Sequence, residues 1–204
     1  MRRSLDSSTI SAFIAGDVKA FKEVYEFYAD SLFAYCLYIM GDTRAAEDAL
    51  QEVLIRIYSN REQLREGAAI KSWLMKITRS VCLNLTRTSK FTPEFVYLDA
   101  DFEDEEGILH RQKELSFEAI DPAMPQQIFQ YAFERVAPIY REAFLLKEVE
   151  GFSYAEIADL TGVSVPNVKV RINRAKKMLR KLLAPHFRAE LGSRIPSVPE
   201  EHEQ

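Results

Sequence analysis

Apolar residues recur at intervals of three and four positions through most of the chain, the spacing that places them on one face of an α-helix. In the first long stripe, from Phe21 to Ile39, Asp17 stands where a helix is capped and Gly41 where one ends. No alternating pattern is long enough for a strand, so the sequence predicts an all-α fold. In the N-terminal half, helices are predicted over 7–14, 18–40, 43–58 and 70–88.

The helical pattern resumes in the C-terminal half. It extends over 126–149, where Pro138 interrupts it, because proline has no backbone N–H to donate and restricts the residue before it. Two helices with a break near Ala137 are therefore predicted. A short helix over 154–160 follows, and after a tight turn a basic helix begins near Ser164. From Pro185 onward, the proline and glycine content predicts a frayed tail.

Ala158, Gly162 and Val168 have the spacing of a DNA-binding helix-turn-helix. The alanine lets the helices approach, the glycine adopts left-handed turn geometry, and the valine fills the angle between the helices. From Ser164 to Arg188 there are eight Lys or Arg residues and no Asp or Glu. A surface helix with a solvated basic face would show the same charge. The basic run coincides with the helix-turn-helix spacing and with Ser164 at a position suited to an N-cap, and this coincidence favours DNA binding.

An acidic stretch separates the two helical parts. Residues 93–121 contain ten acidic and two basic residues, a composition typical of an unstructured linker. Its apolar residues leave open that it docks on another surface. The sequence therefore predicts two small helical domains, over 8–90 and 126–187. They are joined by an acidic linker over 91–125 and followed by a flexible tail over 188–204.

Composition narrows the possible functions. The 204-residue chain has a net charge of −4, but its C-terminal third is basic and its middle is acidic. For DNA binding, the distribution of charge matters more than the net charge. We see no signal peptide and no run long enough to cross a bilayer. Cys36 and Cys82 fall in apolar helical patterns and are predicted to be reduced core residues. No nucleophile–base set, phosphate loop or metal-ligand spacing is found, so we expect a cytoplasmic protein without catalytic residues, cofactors or metals.

Three motifs occur in order: AAEDALQEVLIRIY, IKSWLMKITRSVCLNLTR and SVPNVKVRINRAKKML, with the acidic linker between the second and third. Together they resemble the bacterial sigma factors of the extracytoplasmic-function (ECF) type, group IV of the sigma-70 family, which keep only sigma domains 2 and 4. The resemblance covers about Phe13 to Phe187. It implies a protein that binds core RNA polymerase, recognises a promoter at its −35 and −10 elements, and helps to open the duplex.

The resemblance also assigns roles to residues. The face with Asp48, Gln51 and Glu52 matches the segment that docks on the clamp helices of the polymerase β′ subunit, and the second domain is expected at the β flap. Residues that match the −10 reader are Lys71, Lys76, Arg79, Ser80, Asn84 and Arg87. Those that match the −35 reader are Asn167, Lys169, Val170, Arg171, Asn173, Arg174, Lys176 and Lys177. Arg suits guanine edges and Asn adenine edges, whereas Lys176 and Lys177 lie far enough along to meet phosphate.

Two positions depart from the family pattern. Ser80 stands where the family usually has Asn, and a hydroxyl cannot make the two-pronged contact of an amide with a base. Pro166 stands where a small residue is typical; in the first helical turn proline is tolerated, although its missing N–H cannot contact phosphate. Trp73 matches a family tryptophan and is interpreted as a core residue.

A conventional helix-turn-helix regulator is the alternative, with the N-terminal block as a dimerisation or sensing domain. It would bind duplex DNA alone, as a dimer on a palindrome. The cationic third helix favours a sigma factor, because a regulator needs no second DNA surface. The resemblance further implies a linker that threads the polymerase channel and an anti-sigma partner that clamps both domains. Insertion into a membrane is not expected.

Overall fold

The computed structural model describes the backbone of residues 5–65, 69–88 and 126–193, and the side chains of these ranges except 87–88, 126–127 and 185–193. The linker predicted over 91–125 lies outside the described residues. Within them the chain is all-α, as predicted. The helices are α1 (Ser7–Ile14), α2 (Val18–Met40), α3 (Thr43–Asn60), α4 (Ile70–Thr88), α5 (Gln126–Glu134), α6 (Pro138–Phe144), α7 (Tyr154–Thr161) and α8 (Val165–Ser193).

Local chemistry sets the helix ends in the N-terminal half. The carboxylate of Asp17 accepts the N–H of Ala20 at 2.8 Å, and the carboxylate of Asp42 accepts that of Ala45 at 2.9 Å. Each bond satisfies one of the N–H groups that a helix start leaves unpaired. Gly41 ends α2 with φ of +72°, a left-handed conformation that glycine adopts without a Cβ penalty. The predicted caps are thus confirmed.

Helices α1 to α4 pack around one apolar core. Their stripes bury Phe13, Tyr35, Ile57 and Leu74, each at most 2 % exposed. Trp73, interpreted from the sequence as a core residue, is half-buried, packs against this core and meets Phe13 edge-on, with ring centroids 6.3 Å apart. Between α2 and α4 lie the two cysteines, both buried and both free thiols, as predicted.

Helices α5 to α8 form the second block. The break between α5 and α6 falls at Ala137, directly before Pro138, as predicted. Helix α6 does not continue as a regular α-helix: Leu145–Val149 forms a π-helical turn, which the sequence pattern does not indicate. Phe133, Phe144, Ile157 and Ile172 are almost fully buried in this block.

One prediction about the C-terminal end is wrong, and the structure adds a contact between the blocks that the sequence did not address. The helix α8 runs through Pro185 to Ser193, so the frayed tail predicted from Pro185 is wrong up to that residue. Proline removes one hydrogen bond from a helix, and the strong helix formers around it maintain the helical path. The two blocks are also in direct contact, since the rings of Tyr38 on α2 and Phe133 on α5 lie 4.7 Å apart. Their buried residues form one continuous apolar cluster.

Candidate nucleic-acid and polymerase interfaces

The helix-turn-helix begins with a capping box. The Ser153 hydroxyl accepts the N–H of Glu156 at 3.2 Å, and the Glu156 carboxylate accepts the N–H of Ser153 at 2.7 Å. A hydrogen bond between the Ser153 hydroxyl and the Glu156 carboxylate, and then the bond that this carboxylate accepts from the Ser153 N–H, hold the pKa of Glu156 below its ordinary value. Two N–H groups at the start of α7 are thereby satisfied, which fixes where the motif starts.

The turn of this motif has the predicted geometry. Gly162 has φ of +74°, and its N–H donates to the carbonyl of Ala158 at 2.9 Å. Val168, on α8, is completely buried. The Asn167 N–H lies 3.5 Å from the Ser164 hydroxyl, at the outer limit of a capping bond. The predicted helix-turn-helix is therefore confirmed, and its second helix is held at a defined angle to its first.

The outer face of α8 presents most of the residues predicted to meet the −35 element. Asn167, Lys169, Asn173 and Lys177 are exposed, and Val170, Arg171 and Arg174 are partly exposed. Arg174 donates to the Tyr140 hydroxyl on α6 at 3.0 Å, so its guanidinium is anchored close to this face. Lys176 is different, because its ammonium pairs with Glu148 at 2.8 Å and is directed toward its own block.

The residues predicted to meet the −10 element lie on α4 in two groups. Ser80 and Asn84 are exposed. The three described cations instead meet carboxylates of the C-terminal block: Lys71 with Glu150 at 3.2 Å, Lys76 with Asp159 at 2.6 Å, and Arg79 with Glu142 at 2.8 Å. The side chain of Arg87 lies outside the described residues. The predicted cations are thus on one helix, but in this conformation acidic side chains cover them.

Helix α3 presents a mixed polar and apolar face. Asp48 and Gln51 are exposed, and Glu52 is partly exposed and receives a 2.8 Å bond from Arg56. Ile55 is 62 % exposed, which is unusual for so large an apolar side chain and is a mark of interfaces. Leu50 and Leu54 instead pack partly against the core. The polar residues predicted for polymerase docking therefore lie on the same helix as an exposed apolar side chain, that of Ile55.

Both halves of the chain match family models. Residues 24–92 match the model of Sigma-70 region 2, and residues 126–179 match that of Sigma-70, region 4. These segments contain α4 and the helix-turn-helix respectively. The chain belongs to the sigma-70 family. It is an ECF sigma factor, a protein that binds core RNA polymerase and directs promoter-specific initiation, and the conventional-regulator alternative is not supported.

Curated relatives agree with this assignment. The chain is 28% identical over 173 residues to ECF RNA polymerase sigma factor SigW of Bacillus subtilis, which covers 82% of this chain and 91% of that protein. It is also 28% identical over 178 residues to ECF RNA polymerase sigma factor SigM of Mycobacterium tuberculosis, with 87% and 84% covered.

Solved structures show the same fold. The sigma factor RpoE of Bartonella quintana, determined in complex with the anti-sigma factor NepR, matches with a TM-score of 0.62 and 26% identity, covering 82% of this chain and 98% of that one. CnrH, determined in complex with the cytosolic domain of CnrY, matches with a TM-score of 0.61, and its 17% identity supports the fold alone.

Sequence reasoning missed two residues of this sigma factor. Tyr140 holds Arg174 beside the face of α8 that is predicted to meet the −35 element, and Tyr58, 40 % exposed, lies one turn after the exposed Ile55. The spacing of Tyr58 from Ile55 is a signal that could have indicated it. Among the described residues we find no group of His, Cys, Asp and Glu able to hold a metal ion and no helix suited to crossing a membrane.

Proposed function

We propose that this sigma factor contacts a promoter at two points, with α8 in the major groove of the −35 element and α4 on the separated strands of the −10 element. The observation that supports this most directly is the presence of two distinct cationic helices in one chain. Arg79 and its neighbours are on α4, and Arg171 and its neighbours are on a capped helix-turn-helix. A protein that binds duplex DNA at one site has no use for the first set.

At the −35 element, the first three turns of α8 supply the side chains that recognise bases. Arg171 and Arg174 have the fork geometry that pairs with guanine O6 and N7, and Asn167 and Asn173 suit adenine N6 and N7. Val170 offers an apolar contact to a thymine methyl group. Lys169 and Lys177 lie beside these residues and contact phosphate, and Lys176 adds positive charge behind them.

At the −10 element, α4 contacts a melted strand. Lys71, Lys76, Arg79 and Arg87 follow the phosphates, since cations that track a single strand contribute most of its affinity. Ser80 and Asn84 are exposed one turn apart and form hydrogen bonds with an unstacked base. Because Ser80 has only a hydroxyl, its contact with the base is single rather than two-pronged.

The α3 face docks on the clamp helices of the polymerase β′ subunit. Asp48, Gln51 and Glu52 provide the polar rim, and Ile55 with Tyr58 provides the apolar centre. The region 4 block meets the β flap. The linker over 91–125 threads the polymerase channel, where its negative charge replaces that of RNA. We place the two domains at 8–90 and 126–187, and α8 continues past the second boundary to Ser193.

Two further assignments follow by analogy with the relatives. The sigma factor RpoE of Bartonella quintana was determined in complex with an anti-sigma factor, NepR. We expect this chain to have such a partner, which would engage both blocks. The sigma factor itself acts in the cytoplasm, where core polymerase and promoter DNA are found. It serves as a binding subunit and catalyses no reaction of its own.

The test is run-off transcription with purified core polymerase on a promoter library. The expected result is a defined set of start sites that depend on both elements and on addition of this chain. A chain that neither binds core enzyme nor directs any start site would contradict the proposal. A mobility shift without polymerase is the control, in which a sigma factor binds promoter duplex weakly.

A further inference from the structure

Tyr140 on α6 holds the end of one side chain on the outer face of α8. Nη1 of Arg174 donates to the Tyr140 hydroxyl at 3.0 Å, and both residues are partly exposed. The guanidinium carbon also lies 5.8 Å from the centre of the tyrosine ring, near the outer limit of a cation–π contact. The bond to the hydroxyl is therefore the contact that fixes where the guanidinium lies.

The tyrosine is itself held in place by the start of α6. The N–H groups of Tyr140 and Arg141 both donate to the carbonyl of Ala137 at 3.0 Å. The Arg141 guanidinium donates to the carbonyls of Glu134 at 2.8 Å and Val136 at 3.0 Å, which ties the start of α6 to the end of α5. The Tyr140 ring packs against the apolar core, and tyrosine has only two side-chain torsions to fix. Its hydroxyl is thus a rigid anchor.

The backbone at Arg174 is fixed as well, but its side chain needs a partner. Ile172 and Ala175 on either side of it are 1 % and 0 % exposed, so this part of α8 is held firmly against its block. An arginine side chain keeps rotamer freedom of its own, and it loses that freedom when it binds. The bond to Tyr140 restricts the side chain before any DNA is present.

We propose that Tyr140 is a positioning residue for the −35 element, which orders the Arg174 guanidinium for one base of the major groove in advance of binding. The inference rests on the proposed role of α8, and it adds a residue outside the recognition helix to those that determine specificity. A guanidinium carries five N–H donors, so it can keep one bond to a tyrosine and still offer a pair of donors to guanine. Tyr140 acts through Arg174 and needs no base contact of its own.

Ordering in advance raises discrimination because only the correct base requires an ordered arginine. Without the tyrosine hydroxyl, Arg174 must lose its rotamer freedom when it meets guanine, whereas a wrong base never demands this. The gain from the correct base then falls, while the affinity for the wrong base stays the same. Ordering one long side chain changes binding by about two- to ten-fold, and a loss of discrimination of that size is expected in Tyr140→Phe.

Run-off transcription by the reconstituted holoenzyme on a panel of promoters tests the inference. Each promoter has one base pair of the −35 element replaced, and its transcript is compared with that from the intact promoter. Arg174→Ala first identifies the base pair that this arginine reads, as the position where replacement no longer lowers the transcript. Tyr140→Phe is expected to reduce the preference at that base pair about two- to ten-fold and to leave the preferences at the other positions unchanged.

Two controls separate positioning from a structural role. Tyr131→Phe removes the same hydroxyl from the same block, at a residue of α5 that is 57 % exposed and stacks with Arg135, and it should keep every preference. Tyr140→Phe combined with Arg174→Ala should match Arg174→Ala alone, because the tyrosine then has no arginine to position. A merely structural tyrosine would lower the transcript from all promoters alike and would leave their ratios intact.

The outcomes separate this inference from the proposed function. If Tyr140→Phe keeps the preference at the base pair read by Arg174, or lowers all preferences equally, the inference is overturned and α8 remains the −35 reader. A further loss of preference from Tyr140→Phe in the Arg174→Ala background also overturns it, since the tyrosine would then act on DNA directly. If Arg174→Ala changes no preference, the role proposed for that arginine fails and the inference fails with it. A loss at the one shared base pair, absent in Tyr131→Phe, supports the proposal.

Discussion

Arg79 on α4 and Glu142 on α6 are 63 residues apart in the chain, yet their side chains are joined at 2.8 Å. The Tyr35 hydroxyl donates to the same carboxylate oxygen at 2.6 Å. Burial, and then the charge of Glu142, raise the pKa of Tyr35 well above its ordinary value, so the phenol keeps its proton and remains a donor. One buried carboxylate thus connects the two blocks of this sigma factor.

This triad predicts a specific loss of stability. Tyr35→Phe removes a hydrogen bond to a charged acceptor and should lower the free energy of unfolding by about 1.5–3 kcal/mol. In a Glu142→Gln background the same substitution removes a bond to a neutral amide and should cost about 0.5–1.5 kcal/mol. Urea unfolding followed by circular dichroism measures both. Equal losses in the two backgrounds would show that the tyrosine hydroxyl does not act through Glu142.

The capping box predicts an acid-sensitive start of the helix-turn-helix. The folded pKa of Glu156 is lowered below its ordinary value of 4.5 by its bonds with Ser153. A group with a depressed folded pKa contributes stability above the unfolded value and loses it as pH falls through the folded value. The stability difference between the unaltered chain and Glu156→Gln should therefore be constant from neutral pH to about 5 and shrink in stronger acid. A difference that grows on acidification would contradict this sign.

Local chemistry made much of the fold predictable. Asp17, Gly41, Pro138 and Gly162 each fix a helix end through a bond or a backbone restriction within a few residues, so a sequence pattern can reveal them. The helix-turn-helix is predictable for the same reason. The candidate site residues on α3, α4 and α8 could also be predicted, because the helical spacing of each motif places its polar and charged residues on one face of its helix.

The relationships between the blocks were not predictable. Nothing near Arg79 in the sequence indicates Glu142, since the pairing depends on how two helical blocks meet across a long linker. The same applies to Lys176, which lies in a basic run but pairs with Glu148 in the π-helical turn that precedes α7. The π-helical turn has no sequence signal at all, because its wider register depends on packing at both ends. Tertiary contacts therefore decide which of the cations predicted to contact DNA are paired with carboxylates of the same chain.

The cysteine pair predicts resistance to alkylation. The hydrogen bond from Cys82 to Cys36, with sulfur atoms 3.7 Å apart, and burial raise the pKa of Cys82 far above its ordinary value. Because only an accessible thiolate reacts and both thiols are buried, neither should take up iodoacetamide at pH 8 in the folded protein, and both should react in urea. Mass spectrometry counts the adducts. Rapid labelling of the folded chain would contradict the buried placement of these thiols.

The exposed isoleucine of α3 predicts a polymerase contact. Ile55→Lys places a charge in the apolar centre of the proposed docking face and should weaken binding to core polymerase about ten-fold or more, as expected for a central interface residue. Val18→Lys is the matched control, because Val18 is 71 % exposed on a different helix. Competition with a labelled sigma factor for core enzyme measures both. Equal weakening by the two variants would indicate a general effect of charge rather than a site on α3.

The −35 assignment predicts that two arginines determine discrimination rather than overall affinity. Arg171→Ala with Arg174→Ala removes the fork-shaped donors from the base-facing part of α8. Each such pair with guanine is worth about 1–3 kcal/mol of discrimination. The ratio of run-off transcript from an intact promoter to that from one with a scrambled −35 element should therefore fall at least about ten-fold. Binding to core polymerase should not change, because both arginines are on the face of α8 proposed to meet DNA and not on the surfaces proposed to dock on the clamp helices or the β flap.

The matched control removes the same charge from the same helix. Arg180→Ala with Lys181→Ala lies two turns beyond, where side chains meet phosphate rather than bases. This variant should lower transcription from both promoters in proportion, reduce its salt dependence by about one counterion per cation, and leave their ratio intact. If the two double variants changed the ratio equally, α8 would act through charge alone, and its arginines would not recognise the −35 sequence.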